Sequence, residues 1–177
     1  MNYLIKNRLI VKFCVLTCCA SIVAVTPALA ATTSAPFQVT ATVLSACVLT
    51  TPPPLVFLNY TPSGSTASNA TTTFTVVCSL GTPYSLGLNA GQGGSATVTT
   101  RKMTNLTGTV GSNLLEYGLF KDAAHSVNWD NTIDGAGYLS TGLVQPYTVY
   151  GSIPAGQYSA AAALSAYTDT VLLTLTY

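Results

Sequence analysis

The chain has 177 residues, of which 49% are hydrophobic and only 6% charged, with six Lys or Arg against five Asp or Glu and a formal net charge of +1. A chain so poor in cations has no basic patch with which to neutralise phosphates, so no nucleic-acid partner is expected. Weak charge repulsion suits a protein that packs against copies of itself.

Residues 1–30 have the three parts of a secretory signal. Lys6, Arg8 and Lys12 form a basic head, "FCVLTCCASIVAVT" an uncharged apolar stretch, and Ala28–Ala30 a small-x-small cleavage site. The apolar stretch from Phe13 to Thr26 is shorter than the roughly 20 residues a helix needs to cross a bilayer, so export and not anchoring is expected. "LSAC" at Leu44–Cys47 has the sequence of a lipidation box, but a polar segment separates it from the apolar stretch, and it is set aside as a coincidence.

Removal of the signal takes Cys14, Cys18 and Cys19 with it and leaves Cys47 and Cys78, which in an oxidising compartment most simply form one disulfide. The mature chain keeps Arg101, Lys102 and Lys121 against Glu116, Asp122, Asp130, Asp134 and Asp169. With no linker-like interruption, residues 31–177 are expected to make one domain.

In "FQVTATV", Phe37, Val39, Ala41 and Val43 share one face of a half-buried strand. That face enters either this domain's own core or the core of a neighbouring molecule, and alternation alone does not separate the two. The further predicted strands are "PLVFLNY", "TTTFTVVCSL", "YSLGLNA", "SATVTTRKMTN", "LLEYGLFKD", "LVQPYTVYGSI" and "TDTVLLTLTY", with frequent Gly, Pro, Asn and Ser breaks and no long helical periodicity. This is the pattern of an all-β, immunoglobulin-like antiparallel β-sandwich. Phe74, Val76 and Cys78 share an inward face, as do Val171, Leu173, Leu175 and Tyr177 of the final strand.

A seven-strand sandwich that ends on such a core strand has no segment left to complete its sheet, and the apolar groove so formed calls for a strand added from another chain. "FQVTATV", ahead of the cysteine pair, is the natural donor, and Val171, Leu173, Leu175 and Tyr177 would border the acceptor groove.

Five pieces in order, "FQVTATVLSAC", "FTVVCSLGTPYSLGLNAG", "RKM" at Arg101–Met103, "LLEYGLFKDAAHSVNWD" and "VYGSIPAGQYSAAAALSAYTDTVLLTLTY", make the chain resemble the spore coat protein U domain family, which includes major subunits of archaic chaperone-usher pili. The resemblance implies an incomplete immunoglobulin-like fold, exported through the periplasm, capped there by a chaperone and handed by an outer-membrane usher to the next subunit. It assigns the donor strand to about residues 34–44 through Phe37, Val39, Ala41 and Val43, and the disulfide to Cys47 and Cys78. Members often carry glycine just before Tyr-x-Asp-Thr, whereas Ser165 and Ala166 precede Tyr167 here. A shaft subunit is expected in place of a tip adhesin, with adhesion and biofilm formation as the fibre's role. The family name also admits a spore or cell coat component.

Other chemistries are poorly supplied. His125, the one histidine, has no nucleophile motif to serve, and "GQGG" at Gly91–Gly94 lacks the lysine of a phosphate loop, so no enzyme activity and no cofactor is expected. Asp130 and Asp134 open like a calcium loop, but Thr141 stands where its bidentate carboxylate belongs. Trp129, Tyr138, Tyr147, Tyr150 and Tyr158 offer a sugar-stacking alternative.

Overall fold

A computed structural model describes residues 29–106, 113–132, 137–160 and 166–177. The chain divides into two units, Met1–Thr40 and Ala41–Tyr177. In the first, the described residues 29–40 carry no strand and every one is exposed. The basic head and apolar stretch of the expected signal fall on residues 1–28, outside the described residues. Among the described residues no helix is long and apolar enough to cross a membrane.

The second unit is all-β. Its strands are β1 (Cys47–Leu49), β2 (Ser68–Cys78), β3 (Pro83–Leu88), β4 (Arg101–Thr104), β5 (Leu114–Phe120), β6 (Tyr138–Leu139), β7 (Gln145–Ile153) and β8 (Leu173–Thr176). They form a five-stranded sheet in the order β1-β2-β7-β5-β4 and a three-stranded sheet in the order β6-β3-β8, antiparallel throughout. β1, β2, β7 and β5 thus take the A-B-E-D order of an immunoglobulin sandwich, and β3 and β8 its C-F order. Beyond β8, where such a sandwich carries its last strand, no strand stands among the described residues.

The longest strand, β2, organises the sheet because its alternation is sustained: Phe74, Val76 and Cys78 are buried, while Thr71, Thr73 and Thr75 lie on the other side. It pairs with β7 from Ser68↔Ile153 to Val76↔Gln145, which sets Val149 and Ile153 on the same inner face. Across the sandwich, β3 contributes Tyr84, Leu86 and Leu88. Trp129 closes the core between the layers: it is 2% exposed, its ring centroid lies 5.8 Å from that of Phe74, and its indole N–H donates to the Leu86 carbonyl at 3.3 Å. A tryptophan so enclosed cannot stack on a sugar, which removes Trp129 from the five aromatic residues of the sugar-stacking alternative.

Cys47 and Cys78 form a disulfide that joins the first residue of β1 to the last of β2, which face each other in register. Two predicted strands differ from the structure. "FQVTATV" is in no ladder, and "PLVFLNY" is in none either, although its burial alternates, with Leu55 and Phe57 packed against the core and Val56 and Leu58 exposed. Pro52, Pro53 and Pro54 have no N–H to donate, which bars ladder formation at the start of that segment. β1 and β6, three and two residues long, are too short to leave a periodicity.

Candidate functional site

The inner faces of the two sheets do not close on each other along one side, and a groove of about 900 Å³ opens there. Its floor is apolar: Leu88 of β3, Met103 of β4, Leu115 and Leu119 of β5, Val149 and Ile153 of β7. One rim is the segment Pro52–Tyr60, and the other is the run from Ala166 to Leu173 that leads into β8.

The first rim is extended and only lightly tied to the sheet. Thr50 N–H donates to the Thr75 carbonyl at 3.0 Å, Thr72 Oγ1–H to the Pro53 carbonyl at 2.7 Å, and Tyr60 O–H to the Pro154 carbonyl at 2.8 Å. Tyr60 Oη also accepts from Gln157 N–H at 3.1 Å, and packing adds to these bonds. Gly151 of β7 lies beneath Leu55 and Phe57, so near that an added Cβ would sit 2.8 Å from Phe57 Cζ and 2.9 Å from Leu55 Cδ2. A side chain at 151 would force the Phe57 ring and the Leu55 side chain to shift. Phe57 also meets Tyr117 edge-on at a centroid distance of 6.3 Å.

The second rim is pinned by polar groups. Asp169 accepts from Tyr117 O–H at 2.6 Å and from Gln92 N–H at 2.7 Å, and Asn89 Oδ1 accepts from Leu172 N–H at 2.9 Å. Burial, and then the bond to Asp169, raise the Tyr117 hydroxyl well above the ordinary phenol range, so it stays a donor. Thr104 and Thr168 exchange backbone bonds at 2.8 and 3.0 Å, which continue the contact with β4.

Beneath this rim lies Arg101, with no exposed surface. Its guanidinium donates to four backbone carbonyls: Nε to Asn89 at 2.8 Å, Nη1 to Val98 at 2.7 Å, and Nη2 to Leu88 at 2.8 Å and Trp129 at 2.7 Å. Burial lowers its pKa, and the negative charges of Asp169 and Asp130 act against that shift. The planar fork ties the 88–98 loop, β4 and the 129 turn into one block, a task for which a point charge is unsuited.

The residues singled out from sequence are placed as follows. Val171 and Leu173 line the groove. Leu175 packs on the core without lining the groove, and Tyr177, one residue past the end of β8, is 61% exposed. Phe37, Val39 and Val43 are 86%, 79% and 84% exposed, and Ala41 is exposed as well. The structure thus gathers Val171 and Leu173 with Leu55 and Phe57, which sequence reasoning had assigned only to a strand. The signal was present in "PPPLVFLNY": three prolines followed by an alternating run describe an extended segment that lacks a ladder.

His125 lies at positive φ in the turn after β5, edge-on to Phe120 and Tyr150 at 5.3 and 6.4 Å. Asp130 Oδ1 accepts from Thr132 N–H at 3.0 Å, and Asp134 lies outside the described residues. Among the described residues no cluster of His, Cys, Asp or Glu could hold a metal ion.

The sequence profile described as the Spore Coat Protein U domain matches residues 33–174. "Protein U" of Myxococcus xanthus is 33% identical over 178 residues, covering 91% of this chain and 94% of that protein. Among solved structures, similarity is found to a chain in the crystal structure of the CsuC-CsuE chaperone-tip adhesion subunit pre-assembly complex, from archaic chaperone-usher Csu pili of Acinetobacter baumannii. That match has a TM-score of 0.44 and 21% identity over 77% of this chain, and the chain spans 40% of the length of that relative.

Proposed function

The chain belongs to the Spore Coat Protein U domain family, and from that premise we propose that it is an exported, non-enzymatic structural subunit that polymerises into a surface fibre by donor-strand exchange. The observation that carries this reading is the groove: an apolar floor, two extended rims, and a sandwich whose place beyond β8 holds no strand among the described residues. An extended segment laid there would complete the second sheet, with backbone bonds to β8 and alternate side chains on the floor. Residues 34–44 fit that role in composition, and Phe37, Val39 and Val43 are exposed apolar side chains at alternate positions. Each such side chain buried contributes about 1.5–3 kcal/mol.

In this account residues 1–30 direct export, a periplasmic chaperone lends its own strand to the groove, and an outer-membrane usher exchanges that strand for the N-terminal segment of the next copy. The fibre supports adhesion and biofilm formation. Coat assembly on a resting cell is a second reading, favoured by the family description and by the Myxococcus relative. It shares the self-association and differs in the final architecture.

A chain without residues 1–44 tests the groove directly. Refolded with a synthetic peptide of residues 34–44, it should yield a cooperative, peptide-bound monomer whose melting temperature rises with peptide concentration. A peptide with Phe37, Val39 and Val43 all replaced by serine should give neither. Equal stabilisation by both peptides, or by neither, would contradict the assignment.

A further inference from the structure

The disulfide stands at a particular point of the chain. Cys47 is the first residue of β1, and only Leu44, Ser45 and Ala46 separate it from Val43, the last apolar position of the donor segment. Two carbonyls of this short connection are already tied to the residue after Cys78: Ser79 N–H donates to Ala46 at 2.9 Å and Ser79 Oγ–H to Leu44 at 3.3 Å. In a fibre held by donor strands, tension between neighbouring copies therefore enters each sandwich at Ala46–Cys47.

Two paths lead on from there. The covalent path runs along β1, which has three registered pairs with β2, past Thr50, whose N–H donates to the Thr75 carbonyl at 3.0 Å and whose Oγ1 accepts from Thr75 N–H at 2.8 Å, and then into Pro52–Tyr60, the first rim of the groove. That rim is attached by a few hydrogen bonds and by Leu55 and Phe57 over Gly151, and its three prolines cannot add any donor. Peeling β1 would draw the rim off the donor strand it flanks. The second path runs through the sulfur bridge into Cys78, the end of β2, which is paired over nine positions to β7 in the middle of the sheet.

We infer that the Cys47–Cys78 disulfide is the link that carries tension from the donor segment into β2 and so shields the groove rim, making the grip on one neighbour independent of the pull of the other. The inference rests on the donor-strand reading above. The bond also narrows the unfolded ensemble, but a staple for stability alone could join other pairs of strands. Its position at the donor junction is what a force path requires.

The test is to stretch fibres of the full chain between two beads, before and after reduction with a phosphine, with thiol labelling to verify that the bond has opened. Fibres assembled from a Cys47→Ser, Cys78→Ser double variant serve as the second sample. Reduced or variant fibres should part at a lower force than oxidised ones, while unstretched samples of all three show the same multimer ladder in SDS electrophoresis. Equal rupture forces would overturn the inference. So would collapse of the ladder on reduction without stretching, since the bond would then hold the fold and not the force path. Absence of any ladder from the wild-type chain would instead overturn the donor-strand reading, and this inference with it.

Discussion

Val39→Asp should abolish polymerisation and leave capture by the chaperone intact. If residues 34–44 fill the groove of a neighbouring copy, position 39 is set against a floor of Leu, Met, Val and Ile side chains, where a carboxylate would lose its water and gain no cation. The cost of burying an unpaired charge exceeds what the remaining Phe37 and Val43 contribute. In the subunit itself the same residue is 79% exposed, so the variant should fold and accept a chaperone's strand as the wild type does. Thr40→Asp, on the opposite face of the segment, is the control and should polymerise nearly normally. Multimers on SDS gels and co-purification with the chaperone read the two effects separately. Unimpaired polymers from Val39→Asp would sink the donor assignment.

Arg101→Leu should cost about 3–5 kcal/mol of stability, a large part of what a domain of this size possesses. The substitution deprives four carbonyls of the guanidinium donor at once, those of Leu88 and Trp129 in buried bonds and those of Asn89 and Val98 in part-buried ones. Each acceptor left unsatisfied costs about 1–3 kcal/mol, partly recovered by relaxation and water entry. Arg101→Lys should restore less than half of the loss, because one ammonium cannot span acceptors that surround a planar fork. Urea unfolding of the donor-complemented monomer measures both. An unchanged midpoint for Arg101→Leu would mean that the four bonds contribute nothing net. Because Arg101 underlies the rim that leads to β8, the variant that survives should also bind the donor peptide more weakly.

The two substitutions illustrate what was legible in the sequence. The core face of β2 and the alternation of Val171 and Leu173 follow from period-two patterning, a local property that needs no knowledge of partners. Cys47 and Cys78 could be paired by elimination once the signal was set aside. Arg101 was not legible as a buried residue, because sequence patterning assigns a cation to the surface. Its four acceptors come from a loop, a turn and a strand end that lie up to 28 residues from it along the chain, and only the fold brings them together. Pro54–Tyr60, the larger part of the first rim, reads as an ordinary strand for a related reason: alternation reports which side chains face inward and says nothing of whether the backbone has a neighbour. Tyr177 continues the alternation of β8 but lies past its last paired residue, so the inward pattern ends one position before the periodicity does.

The central claim, that strands are exchanged between chains, is tested most directly by electrophoresis of surface-sheared material in SDS, with and without boiling, probed with antibody to residues 31–177. A ladder of multimers that collapses to one band on heating is the predicted result, because a strand laid into an apolar groove resists detergent until the sandwich unfolds. A single monomer band in both lanes, from folded and secreted protein, would contradict the account and mean that the chain closes its own sheet.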